Sequence, residues 1–360
     1  MDIYIRSYSM ISPQPGFEQV VEQGVNKGPG NGSGQSIRKN FEQDDEHGVI
    51  EYTGNRLSCV EPDYKSLLDP KLLRRMSRII RMGSAAAMKC LLQSGTSCPD
   101  AITTGTAYGC LEDTGNFLAK MIRQNEELLT PTAFIQSTHN TVGAQIALML
   151  NCHGYNNTFV HRGFSFESAL LDAMMLLQEG EAGNVLAGSI DELTDMSFDA
   201  LSKFSLYRKV PVSNLRLFEG SYKGTIAGEG AAFFLLQKDA SNALAKIDGI
   251  QSFYKPSSQE AIEQQLVSFL GSHSLQPEDI DLLILGKNGD CYNDDVYTQL
   301  YNSLFKEKET ANYKHLCGEY PTSTSFALGH AIAHLSTHKR VLIYNHYQHV
   351  HHSLILLSAC

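Results

Sequence analysis

The sequence predicts an α/β fold on three observations. Short apolar runs of strand length alternate with longer stretches of helical period, the connections between them are short, and after about residue 240 the alternation begins again. Alternating Ile3 and Ile5 open a first strand. Residues 25–48, "VNKGPGNGSGQSIRKNFEQDDEHG", mix glycine, serine and charge without apolar period, and predict a long flexible surface loop inserted after it. From about residue 66 the pattern is regular: a helix over 70–94 stopped by Gly95, a strand over 101–109, a helix over 112–124, and a buried helix reached through 130–150. "TFVHRGFSFESALLDAMMLL" (158–177) takes a strand through a sharp turn into a helix over 165–179, which Gly180 closes, and "NVLAGSID" (184–191) reads as the next buried strand. Such short connections favour parallel strands with crossover helices. "GTIAGEGAAFFLLQK" (224–238) closes the first half with a tight turn and an apolar strand. The second half repeats the grammar: a strand at 244–255, a helix at 258–273, a helix start and buried strand at 276–286, a helix at 293–307, the segment 323–338 and two closing strands. Two pseudo-duplicated halves, 1–240 and 241–360, are the expected organisation.

A chain of 360 residues buries a large core, and 42% apolar with 19% charged residues is ordinary for a compact soluble protein. No run approaches the roughly eighteen apolar residues of a membrane span, and the start lacks a secretory signal, so a cytoplasmic location is expected. The net charge of −10 disfavours nucleic acid and anionic membrane as partners. The cysteines at 59, 90, 98, 110, 152, 291, 317 and 360 are scattered, with no CxxC pair and no zinc-ligand spacing, which predicts reduced, buried thiols and neither a disulfide framework nor a metal. In "KLLRRMSRIIRM" (71–82), Arg74, Arg78 and Arg81 share one helical face while Leu72, Met76 and Ile79 share another. A solvated face is the favoured reading, and a docking site for an acidic partner the alternative.

An ordered series of segments resembles the β-ketoacyl synthases of the thiolase-like fold: "RRMSRIIRMGSAAAMKCLLQSG", "ITTGTAYGCLEDTGNFL", "PTAFIQSTHNTVGAQIAL", "FSFESALLDAMMLLQEGEAGNVLAGSIDE", "GTIAGEGAAFFLLQ" and "LQPEDIDLLILG". The resemblance spans nearly the whole chain outside 25–48 and implies a layered αβαβα arrangement of two related halves. It also implies a cysteine nucleophile at an elbow, whose helix lowers the thiol pKa, and two histidines that help decarboxylate malonyl-carrier protein and stabilise an enolate oxygen. Carried onto this chain, the cysteine position is Gly163, seventeen residues before Gly180. The first histidine, from a motif of the form HGTxTxxxD, falls on Asn288, with Asp294 or Asp295 as the acid. The KxxxGHxxGAAG segment matches "PTSTSFALGHAIAHL", which puts Pro321 at the lysine and Phe326 at the histidine; choosing His330 instead would break the match of Gly329.

Other candidates have plainer readings. Cys110 reads as a packed thiol. Ser165, in "GFSFE", departs from the GxSxG elbow and reads as a helix N-cap, with a nucleophile as the alternative. His161 and Arg162 flank the elbow in structural roles. His346, His349, His351 and His352 stand where ketosynthases have a glycine-rich gating loop, and predict a filled, rigid turn rather than a metal site, although His349 and His351 share the alternation of one strand face. The expected function is therefore a non-condensing, chain-length-factor-like partner of an active ketosynthase in fatty acid or polyketide-type biosynthesis, resembling subunits of aryl-polyene systems. The alternatives are an acyltransferase or esterase using Ser165, and a homodimeric acyl-binding protein. A heterodimer or homodimer is expected, with no cofactor, and acyl carrier protein on Arg74, Arg78 and Arg81 is the alternative to a solvated face there.

Overall fold

The structure, a computed structural model, describes residues 2–15 and 48–360. Apart from Gly48, the expected loop at 25–48 lies outside the described residues. The first half contains β1 (Ile3–Ile11), α1 (Pro70–Leu73), α2 (Arg78–Ser94), β2 (Ala101–Gly105), α3 (Leu111–Arg123), α4 (Pro131–Gln136) and α5 (Thr141–Leu150). It continues with β3 (Tyr155–Phe159), α6 (Ser165–Glu179), β4 (Asn184–Asp191), α7 (Asp195–Lys203) and β5 (Gly230–Gln237). The second half runs through β6 (Ala245–Tyr254), α8 (Gln259–Ser272), β7 (Leu282–Leu285), α9 (Cys291–Leu304) and β8 (Glu309–Asn312). It ends with α10 (Lys314–Cys317), α11 (Thr324–His334), β9 (Arg340–Tyr347) and β10 (His351–Ser358).

The strands form one ten-stranded sheet in the order β8-β7-β9-β10-β6-β1-β5-β4-β2-β3. Counted within its own half, each group of strands lies in the order third, second, fourth, fifth, first, and in each the fifth strand is antiparallel to both its neighbours. This is the duplication expected from the sequence. The two half-sheets join where β1 and β6 pair antiparallel, Ile3 opposite Ile247 and Ile5 opposite Ala245.

Side-chain alternation along the strands explains the layers. In β5, Phe233 and Leu235 point into a core shared with Ile79, Met82 and Ala86 of α2 and Val142 and Ile146 of α5. Phe234 and Leu236 point the other way, into a central core with Leu170 and Leu177 of α6 and Phe326 and Ala331 of α11. That central core also takes Ile343 and Ile355 from the second half, whose opposite face (Leu342, Leu356) packs on Leu266 of α8 and Leu300 of α9. The result is an αβαβα sandwich with α6 and α11 in its middle layer. Strands covered on both faces are apolar throughout, which is why "AAFFLLQ" shows no polar alternation.

Two local expectations are corrected. The helix drawn over 70–94 is interrupted at 74–77, since Asp69 caps α1 by accepting from Lys71 N–H and Ser77 starts α2 afresh. The arginines therefore do not share one face. Arg74 is exposed, Arg78 turns inward onto both carboxylate oxygens of buried Glu229 at 2.6 and 2.7 Å and onto Glu61 at 2.7 Å, and Arg81 lies over the Tyr64 ring. The strand drawn to 109 stops at Gly105, because Asp191 accepts from Thr106 Oγ1 and Ala107 N–H and bends the chain away.

Candidate functional site

The elbow between β3 and α6 is built from backbone as sharply as the sequence suggested. Arg162 takes the left-handed φ of 53°, a conformation a long side chain seldom adopts, and turns the chain at once into a single 3₁₀ turn and then α6. Gly163 follows, buried, beneath the β9–β10 hairpin. A Cβ placed on it would lie 2.7 Å from Tyr347 Cβ and 3.0 Å from His351 Cβ, so any larger residue requires the hairpin to move. Phe164 closes the same wall, its ring edge-on to His351 with centroids 4.7 Å apart. Ser165 is the first residue of α6 rather than its cap: its hydroxyl donates to Arg162 O at 2.8 Å and accepts from His161 N–H at 2.9 Å. Fully buried, that hydroxyl is committed to fastening the turn. His161 and Arg162 are exposed, and His161 Nδ1 meets Ser168 Oγ at 3.0 Å.

Asn288 anchors a second cluster from the other half. Its backbone N–H and that of Gly289 donate to Asp294 at 2.8 and 2.9 Å, and its side-chain Nδ2 donates to Glu319 Oε2 at 2.6 Å. Glu319 in turn accepts from Lys314 Nζ through both oxygens, at 3.0 and 2.8 Å, with Lys314 wholly buried. Burial raises Asp294 to about 6, against the lowering effect of the two backbone donors. Phe326 is in different surroundings: it belongs to the central core, its ring stacked between Tyr313 and His330. The register carried through Pro321 and Phe326 thus does not lead to the cluster around Asn288. "KHLCGE" (314–319) does, and its lysine, glycine and final residue repeat the spacing of KxxxGH with glutamate in the last place. Both that spacing and the histidine-bearing "GHAIAH" further on are present in the sequence.

Residues 46–242, more than half of the chain, match the N-terminal domain of the β-ketoacyl synthases. The chain belongs to the β-ketoacyl synthase family. It is 24% identical over 162 residues to the oxytetracycline polyketide putative β-ketoacyl synthase 1 of Streptomyces rimosus, a match covering 44% of this chain and 37% of that relative's length. A ketosynthase in complex with its chain length factor from Xenorhabdus doucetiae superposes with a TM-score of 0.75 at 15% identity, over 100% of this chain and 98% of the other. A structure of a type II polyketide acyl carrier protein in complex with its ketosynthase, bound to a hexaketide, gives 0.71 at 14% identity over 100% and 99%. The fold of this β-ketoacyl synthase family member is thus the thiolase-like fold that the ordered segments implied.

In this family member the hairpin over the elbow is filled with rings. His346 and His352 are directly opposite across β9 and β10 and stack at 5.3 Å; His346 also stacks on Tyr297 at 4.6 Å, and His352 Nδ1 meets Tyr344 OH at 2.9 Å. Burial pushes His346 well below the ordinary histidine range and His352 down to about 4, so both are neutral near pH 7. His349 sits in the turn with φ 56°, off the strand face it was expected to share with His351. Among the described residues no group of three or more His, Cys, Asp or Glu side chains is placed to hold a metal ion. Cys110 is buried and its thiol is raised by that burial, as befits a packing residue. Two buried acids that the sequence did not single out are Glu167, in the first turn of α6, and Asp191, at the end of β4. Burial raises Glu167 to about 7, with Ser353 donating to it at 2.8 Å, and raises Asp191 to about 6. No helix among the described residues is long and apolar enough to cross a membrane.

Proposed function

We propose that this chain is a non-condensing, chain-length-factor-like subunit that pairs with an active ketosynthase working on acyl units of the polyketide, fatty acid or aryl-polyene kind. The observation that carries the reading is the contact over Gly163: the space a nucleophilic side chain would need is occupied by Tyr347 and His351. We assign the vacated positions to Gly163 and Asn288, as the sequence suggested, and the third to Glu319 in place of Phe326, with Lys314 as the retained lysine. A carboxylate at that third position opposes condensation on physical grounds, since negative charge developing on an enolate oxygen needs donors rather than another anion. The chain divides at 240/241 in this reading, between β5 and β6.

Partner binding is supported by the free edge of the first half. β3 is the last strand of the sheet among the described residues, with no strand paired to its outer side there, and α5 and α6 flank it. Leu148 of α5, Leu171 and Met175 of α6, and Tyr155 of β3 itself are all exposed there. An apolar surface around an open strand edge suits a large, permanent interface. Acyl carrier protein is proposed as a partner of the pair; Arg78 is already engaged by Glu229 and Glu61, so docking through Arg74, Arg78 and Arg81 together is not retained. No observation favours an acyltransferase or esterase through Ser165, whose hydroxyl is committed on both sides.

The deciding experiment mixes the purified chain with malonyl- and acyl-carrier protein, alone and after co-expression with a ketosynthase. Alone it should release no carbon dioxide and carry no acyl adduct by intact mass, and with a cognate ketosynthase it should elute as a one-to-one complex. An adduct on Ser165 would overturn the reading, and a homodimer indifferent to every ketosynthase offered would replace it with the acyl-binding alternative.

A further inference from the structure

Cys98 and Cys152 lie at the opposite end of β2 and β3 from the elbow. The two strands are parallel, with Ala101 opposite Tyr155, and each cysteine stands three residues before its strand's member of that pair. Each cysteine lies in the turn that leads into its strand, and the parallel register sets those two turns side by side. The approaching turns stay in contact ahead of the ladder: a Cβ on Gly154 would lie 2.1 Å from Asp100 O. Both thiols are aimed at one acceptor, Cys98 Sγ at 3.5 Å and Cys152 Sγ at 3.3 Å from Pro99 O. Cys98 is exposed and Cys152 half-buried, in contrast to Cys59, Cys90, Cys110 and Cys317, which are buried.

We propose that Cys98 and Cys152 are a redox pair, closing to a disulfide by exchange with a low-molecular-weight disulfide such as oxidised glutathione. One cysteine thiolate attacks oxidised glutathione, forming a mixed disulfide and releasing one glutathione thiolate. The second cysteine thiolate then attacks the protein sulfur of that mixed disulfide, forming the Cys98–Cys152 bond and releasing the second glutathione. Two protein thiols are oxidised, one glutathione disulfide is reduced to two thiols, and the two cysteine protons end on glutathione. Partial desolvation and the neighbouring Cys152 raise the Cys98 thiol, so the exchange quickens as pH rises. The bond would clasp the turn that leads into β3, the open edge strand, and links redox state to the order of that edge. This inference rests on the strand register and not on the partner reading.

The test treats the reduced full-length protein with oxidised glutathione at pH 8, caps remaining thiols with iodoacetamide and maps the digest by mass spectrometry. The expected result is a peptide cross-linked between Cys98 and Cys152, restored to free thiols by excess reduced glutathione. Cys98→Ser should stop at a glutathione adduct on Cys152, and Cys291→Ser should leave the cross-link yield unchanged. Stable glutathione adducts on both cysteines of the wild-type protein, or both thiols still free after the exposed Cys360 has reacted, would overturn the proposal.

Discussion

The elbow around Gly163 and the cluster around Asn288 face the same structural problem with opposite materials. At the elbow a missing side chain is compensated by apolar and aromatic bulk, with Tyr347, His351 and Phe164 closing over the glycine. At Asn288 the enclosed groups are ionic, and Lys314, Glu319 and Asn288 satisfy one another while excluded from water. The first arrangement tolerates loss of a contact, because neighbouring rings still pack. The second does not, because removing one charge leaves its partner buried and unpaired. Both are stable solutions, but each would be disturbed by a different kind of substitution.

The largest effect is expected at the ionic cluster. Lys314→Met should cost about 3–5 kcal/mol by stranding the Glu319 carboxylate, and urea unfolding would measure it. Adding Glu319→Gln should recover much of the loss, and a double variant no better than Lys314→Met would show that packing rather than charge governs the site. Next comes Glu167, whose folded-state pKa lies above its unfolded value of about 4.5. Its neutral form is favoured in the folded chain, so its contribution is complete below pH 4.5 and is lost as pH rises through about 7. Glu167→Gln should therefore improve stability at pH 8 relative to pH 5 by up to about 3 kcal/mol compared with wild type, at about 1.4 kcal/mol for each pH unit of displacement. Paired unfolding curves at the two pH values would show it, and comparison with wild type cancels the opposing slope from buried His346 and His352.

At the elbow the changes should be smaller. Gly163→Cys restores a thiol in name but overpacks Tyr347 and His351, with an expected cost of about 1–3 kcal/mol. Intact mass after exposure to acyl-carrier protein should show no acyl group on it. A thermally unperturbed and acylated variant would break the contrast between a closed elbow and a working one. Ser165→Ala should be the mildest, about 1 kcal/mol from its lost hydrogen bond to Arg162 O, with no change in any activity of the partnered complex.

Much of the fold was legible because it depends on local pattern. The helix at 165–179 and the strand at 184–191 fall where the apolar period and Gly180 placed them. Gly95 and Gly180 both cap their helices in the left-handed conformation that glycine allows. The break at 74–77, the short strand β8 and the small helices α7 and α10 were not read, being short segments whose conformation is fixed by what they touch. In the candidate site, Gly163 and Asn288, the positions proposed as vacated, follow from spacing to secure landmarks such as Gly180. The third position falls on Phe326 by sequence spacing, and its proposed transfer to Glu319 rests on the contact of Glu319 with Asn288, which spacing alone does not reveal.

The sequence by itself determined the α/β class, the duplicated halves and the absence of a cysteine at the elbow, since period, capping and residue identity are all local properties. The tertiary structure alone decided that Tyr347 and His351 close over Gly163, that Lys314 is paired in the interior, and that the Cys98 and Cys152 thiols meet at Pro99 O. Each of these joins residues far apart in sequence, and their proximity depends on strand register and helix packing that no single segment encodes.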